Sequence, residues 1–280
     1  MRKDAIESII IMVVAFALIG GGYLYIQTAS DVDPTFTNVE SWSMQHSDES
    51  QLGVIDTGDM VILKNKDSYS QLTTYVDGYA SGYSSFGEYG NVVVYERNPS
   101  SNLNPVIHRL ILYLEYVGEI YGVDTWSAPS LANFDGNWSC TSGTDYTKLS
   151  GTLELYNIGY GNKTVSFNFS DLEGYEYSGY LTKGDNASTN NYFDQSTSIT
   201  KGLVTYEDIN SVAWIEIPWG GILKLVKNED MNRINDWVPN SIPSMVISLA
   251  AILLAFLAAN SIINYREYSK FYRLNKERKK

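Results

Sequence analysis

Residues 106–116 read VIHRLILYLEY, a run of β-branched and aromatic side chains interrupted by His108, Arg109 and Glu115. Such a run reads as a strand. Outward from it, GDMVILKN (58–65), NVVVYERN (91–98), KTVSFNF (163–169), GLVTYE (202–207) and AWIEIPWGGILKLV (213–226) share its character. Clusters of Gly, Asn, Asp and Ser separate them, and no amphipathic helix of any length interrupts them. The expected fold is therefore mainly β over residues 27–241. Residues 117–162 are rich in Gly, Ser, Thr, Asn and Tyr with weak periodicity, which predicts a lobe inserted in that domain.

Both ends of the chain are different. Residues 8–26 (SIIIMVVAFALIGGGYLYI) and 242–263 (IPSMVISLAAILLAFLAANSII) carry no charge. At 1.5 Å per residue, nineteen helical positions give roughly 28 Å, enough to cross a hydrocarbon core. Arg2 and Lys3 would also suit a cleaved signal peptide. The first apolar run is too long for that, however, and Gln27-Thr28-Ala29-Ser30 is a poor cleavage site. It therefore reads as a retained anchor. Residues 264–280 hold seven basic and two acidic side chains, whereas residues 8–265 hold 11 basic and 28 acidic ones. Positive flanks stay inside. The expectation is a two-span protein of the cell membrane, with termini 1–7 and 264–280 cytoplasmic and the acidic middle outside.

Composition excludes several classes. The chain has 280 residues, a formal charge of −12 and 44% hydrophobic residues, so it is neither disordered nor a nucleic-acid binder. One cysteine, Cys140, rules out an intrachain disulfide or a cysteine-built metal site, and it reads as structural. Two histidines, His46 and His108, leave little for a metal centre. Asn137, Asn162, Asn168 and Asn186 begin Asn-x-Ser/Thr sequons in the outer portion.

Chemistry narrows to a serine, a histidine and a carboxylate. Val39-Glu40-Ser41-Trp42-Ser43-Met44 begins about a dozen residues past the first apolar block. A serine attacks only if a base takes its proton and donors hold the oxyanion. His108, inside an otherwise apolar strand, is one such base, although a lone strand histidine is more often structural. Asp56 and Asp59 read as turn carboxylates ahead of a strand.

The order of segments resembles the type I signal peptidases of the archaeal and endoplasmic-reticulum branch. An apolar anchor precedes Ser41-Trp42-Ser43-Met44. Gly58-Asp59-Met60-Val61-Ile62, Gly90-Asn91-Val92-Val93-Val94 and Ile107-His108-Arg109 follow. Leu181-Thr182-Lys183-Gly184-Asp185-Asn186 with Asp194 comes next, and Ile217-Pro218-Trp219-Gly220-Gly221 closes the domain. The resemblance implies a membrane-bound serine endopeptidase acting on signal peptides of exported preproteins. Ser43 would be the nucleophile, His108 the general base, Asp194 its supporting carboxylate and Asp185 a second acid. Ser41 would assist the oxyanion. It implies no cofactor or metal. Beyond signal peptides, the expected partners are the lipid bilayer and the protein translocation machinery.

Departures from that pattern are specific. Position 42, usually Gly, is Trp42, and position 46, often Pro, is His46. Asp194 lies nine residues after Asp185, about three more than usual, which leaves the third catalytic member open between them. Between His108 and Asp185 the chain is much longer than the family's, so 117–180 is an atypical insert. His46 is a rival base, as are Lys64, Lys66 and Lys183. Two further readings stand beside the leading one. The first is a non-catalytic surface or interaction protein of the same fold, and the second is a processing protease for a narrow set of surface precursors.

Overall fold

The computed structural model of the chain describes residues 3–97, 103–197, 199–228 and 230–277. Arg2, Asn98, Arg278, Lys279 and Lys280, used in the readings above, lie outside them. Helix α1 (Lys3–Ser30) and helix α5 (Ser241–Glu277) occupy the two ends. Met12–Ser30 and Ser241–Arg266 within them are long and apolar enough to cross a membrane. Both helices outrun the uncharged blocks because their polar flanks continue the same turns.

Between them lie strands β1 (Phe36–Asn38), β2 (Met60–Lys64), β5 (Val92–Tyr95), β6 (Val106–Ile120), β11 (Gly179–Lys183) and β12 (Ile209–Ile217), paired in the order β1-β2-β12-β5-β6-β11. A small hairpin, β3 (Ser84–Ser85) and β4 (Glu88–Tyr89), stands beside them. Val92–Tyr95 is buried at every position, which explains its unbroken apolar sequence. The register sets Val93 opposite His108 and Lys183 opposite Arg109.

Strand β6 continues past the expected end at Tyr116 to Ile120 and turns back as β7 (Val123–Ser127). Strands β8 (Trp138–Cys140), β9 (Thr152–Ile158) and β10 (Lys163–Asn168) form a second sheet in the order β10-β9-β8. Leu153, Leu155, Ile158, Val165 and Phe167 face inward from it and join Leu112, Leu114, Leu181 and Phe193 in one buried cluster. The inserted residues thus share a core with β6 and β11.

Three sequence expectations are corrected. Residues 213–226 are not one strand: β12 stops at Ile217, and Ile222–Lys227 form helix α3. Pro218 has no N–H to continue the ladder, and a side chain at Gly221 would put its Cβ 2.6 Å from the Asp59 carbonyl oxygen, so the chain turns there. Residues 202–207 contribute only a bridge between Val204 and Tyr180, since Thr205 and Asp208 close a turn through their side chains. One short α-helix does interrupt the strands, α2 (Tyr75–Ser81), capped by the Thr74 side chain, and two more, α3 and α4 (Met231–Trp237), follow the last strand. None exceeds two turns, too short to impose a 3.6-residue pattern.

Candidate active site

The loop from Val39 to Ser50 carries Ser43 between β1 and β2. Val39 continues the pairing through Asp59, donating to its carbonyl at 2.9 Å, and buried Met44 anchors the loop in the core beneath β2 and β5. The peptide of Ser43 is held from the far side of the domain. Its carbonyl oxygen accepts from the Asn186 backbone N–H at 2.9 Å and from Asn190 Nδ2 at 2.8 Å. Asn186 Nδ2 also donates to the Trp42 carbonyl at 2.8 Å. Ser43 Oγ lies 3.2 Å from Ser41 Oγ.

His108 leaves β6 nearly buried, with Nδ1 2.8 Å from Asp194 Oδ2. The same carboxylate oxygen accepts from the Tyr95 hydroxyl at 2.7 Å. Burial pushes the Asp194 carboxyl up, but the His108 ring and the Tyr95 hydroxyl outweigh it and hold it below its ordinary range. An ionised carboxylate only accepts, so Nδ1 carries the hydrogen, and in the neutral ring Nε2 is the nitrogen that can take a proton. Asp194 starts a short 3-10 turn, Asp194–Ser196, positioned by fully buried Phe193.

Asp185 belongs to a different network. Arg109 forks onto it through Nε at 2.8 Å and Nη2 at 2.6 Å, and Nη1 donates to the carbonyls of Tyr89 and Gly90. Burial raises the Asp185 carboxyl, yet the adjoining guanidinium holds it well below the carboxylate range. Asp185 therefore fastens the turn that presents Asn186 and Asn190, at a distance from the imidazole that Asp194 engages.

Ser41, Ser43 and His108 line one cleft of about 890 Å³. Strand β11 ends at Lys183, opposite Arg109, and Gly184 follows it out of the strand. A Cβ on Gly184 would lie only 2.4 Å from the Ser43 carbonyl oxygen. Ser43 and His108 share this cleft, but no hydrogen bond joins Ser43 Oγ to the ring. Such contacts commonly tighten only when substrate is bound.

No known protein family, curated protein or solved structure matches this chain.

The remaining sequence candidates sit elsewhere. His46 stacks on Tyr160 with ring centroids 4.8 Å apart, and its Nε2 lies 3.7 Å from Asp185, outside the cleft lining. Lys183 is buried, its amine pushed down by desolvation, and Nζ donates to the Gly184 carbonyl at 2.7 Å. Lys64 lies over Trp214 and Lys66 over Tyr206. Trp42 does not enter the cleft; its ring stacks on Trp237 with centroids 4.8 Å apart. Cys140 Sγ is hydrogen-bonded within the second sheet, to Ser142 and the Ser150 carbonyl. Asn162 and Asn168 are exposed, whereas Asn186 is buried and engaged at Trp42. Asn186 is therefore no glycan acceptor in this fold.

Sequence reasoning missed Tyr95, Asn190 and Gly184. Asn186 stands in the sequence as a sequon and, with Gly184, as part of the Thr-Lys-Gly-Asp-Asn element, with no role at Ser43 assigned to either. Asp56 and Asp59, expected as ordinary turn carboxylates, are fully buried.

Proposed function

We propose that this chain is a membrane-anchored serine endopeptidase that removes signal peptides from exported preproteins. The observation that carries the reading is the buried Asp194–His108 pair opening on the cleft that contains Ser43. His108 Nε2 takes the Ser43 hydroxyl proton as Oγ attacks the scissile carbonyl carbon. The imidazolium that forms is stabilised by Asp194 and gives the proton to the leaving amine as the C–N bond breaks; water, deprotonated by the same Nε2, then hydrolyses the acyl-Ser43 ester and frees the signal peptide. The Ser41 hydroxyl, beside Ser43, and the Ser43 amide are the donors suited to the oxyanion.

The cleft also suits an extended substrate. Among the described residues strand β1 ends the sheet, paired with β2, and Thr37, Asn38 and residues 105–108 all line the cleft. Backbone pairing along a free edge fixes register and leaves side-chain pockets to select sequence. The charge asymmetry of the flanks supports an outward-facing domain with both termini in the cytoplasm, so the loop with Ser43 would work near the bilayer surface.

The test is cleavage of a preprotein by the full chain in vesicles. Ser43→Ala and His108→Ala should each abolish processing, and processing that survives either substitution defeats the proposal. A second reading, a non-catalytic surface protein of the same fold, draws on the Ser43 hydroxyl facing Ser41 instead of the imidazole. It predicts that the wild-type chain leaves every preprotein in a varied panel uncut.

A further inference from the structure

We propose that Trp237 is a positioning residue that latches the root of the C-terminal apolar helix onto the loop carrying Ser43. The proposal rests on the peptidase reading for its kinetic consequences, but the latch is a set of contacts on both sides of Ser43. On the N-terminal side, the Glu40 carbonyl accepts from Arg233 Nη1 at 2.9 Å, and the Glu40 carboxylate pairs with Lys224 at 2.7 Å. Immediately before Ser43, Trp42 stacks on Trp237 at 20° between ring planes. The Arg233 guanidinium also lies over the Trp237 ring, 5.8 Å from its centroid.

On the C-terminal side, Gln45 Nε2 donates to the Trp237 carbonyl at 3.0 Å. Asn240 exchanges two hydrogen bonds with the Ser50 backbone, at 2.7 and 3.0 Å. Loop residues 40, 42, 45 and 50 are therefore all tied to residues 224–240. Residues 222–238 have their own small core of Ile222, Leu225, Ile234 and Val238, against which Ile242 and Met245 of the first turns of α5 pack. A shift of α5 in the bilayer is thus passed through α4 to the serine loop.

Trp42 is what the sequence offers for such a latch. A bulky ring beside a nucleophile would obstruct a substrate if it turned into the cleft. Here it turns away and finds its partner on α4, and both rings remain partly exposed. Removing Trp237 leaves Trp42 free to rotate and relaxes the Ser43 peptide from one side, while Asn186 and Asn190 still hold it from the other.

The experiment uses the full chain in vesicles with a preprotein, comparing Trp237→Ala, Trp237→Phe, Trp42→Ala and the Trp42→Ala/Trp237→Ala double variant. Trp237→Ala should lower kcat by roughly 10- to 100-fold with KM changed less than about two-fold, the signature of a misplaced reacting group. Trp237→Phe keeps an aromatic face and should restore most of the rate. The double variant should fall no further than the worse single one, because both remove the same stack. Hydrogen exchange gives a readout independent of activity. Amides of residues 41–47 should exchange faster in Trp237→Ala, while β2, β5, β6 and β12 stay protected, which separates a loosened loop from an unfolded domain.

Unchanged exchange in residues 41–47 overturns the latch, as do wild-type kcat in Trp237→Ala or losses that multiply in the double variant. If Ser43→Ala cleaves as well as the wild type, the peptidase reading fails instead, and the exchange measurement alone decides the latch.

Discussion

His108 Nδ1 stands 2.8 Å from Asp194 Oδ2, while the next residue along the same strand, Arg109, takes Asp185. Successive side chains of a strand leave on opposite faces, so one step along β6 separates the two aspartates into different environments. Asp194 comes nine residues after Asp185 in the sequence. Asp185 closes the turn directly after β11, and the chain must then pass Ser43 before Phe193 and Asp194 reach the imidazole.

The two acids should accordingly fail in different ways when neutralised. Asp194→Asn keeps the shape but removes the charge that supports the imidazolium and replaces one accepting oxygen with an NH2 donor, which can turn the imidazole to the wrong tautomer. Processing by that variant should drop roughly 10³- to 10⁴-fold. Asp185→Asn leaves the fully buried Arg109 without its counter-charge and should destabilise the domain by about 3–5 kcal/mol in denaturant unfolding. If the stability loss follows Asp194 and the pure rate loss follows Asp185, the roles assigned here are reversed.

Gly184 offers a test that leaves every polar group of the site in place. An added Cβ would sit 2.4 Å from the Ser43 carbonyl oxygen and 2.5 Å from Asn190 Nδ2, pushing apart the two groups that define the nucleophile's peptide. Gly184→Ala should cost about 1–3 kcal/mol of stability by overpacking and reduce processing by roughly 10²-fold. Normal turnover by a folded Gly184→Ala protein would mean that Ser43 does not depend on this contact.

How much of this was readable beforehand depended on the range of the interaction. The strands announced themselves because Val92, Val93, Val94 and Tyr95 are all buried, and a short, wholly buried strand has an apolar sequence. The order of motifs pointed to Ser43, His108 and either Asp185 or Asp194, and the structure pairs His108 with Asp194. Residues 222–227, ILKLVK, have a strand's composition but fold as a helix, a choice made by Pro218 and by the close approach at Gly221. Tyr95 could not be found from local pattern, since its hydroxyl meets Asp194 99 residues away, and Asn190 meets Ser43 across 147. Alternation in Leu153, Leu155, Val165 and Phe167 was present in the insert but diluted by its polar turns.

A second buried acid pair, below the serine loop, gives the domain an unusual response to pH. Asp59 accepts from the backbone N–H groups of Asp56 and Trp219, both at 2.8 Å, and Asp56 accepts from Gln51 but has no partner for Oδ1. Desolvation raises Asp56 to about 7 and Asp59 to about 8 from an ordinary 3.8, and Glu216 nearby adds to both shifts. The folded protein therefore holds protons that the unfolded chain has already released. The stability contributed by these groups is complete below about pH 4 and is lost as pH rises through 7 to 8. Asp185 and Asp194 have the opposite sign, and their contribution is lost only as pH falls below the ordinary carboxylate range. Asp56→Asn retains an acceptor for Gln51 and removes the charge. It should stabilise the domain at pH 8, relative to wild type, by on the order of 2 kcal/mol, with the gain vanishing near pH 4. Chemical unfolding of both proteins across that range measures the difference directly. A gain that is the same at both ends would show that the Asp56 carboxyl titrates alike in the folded and unfolded chain.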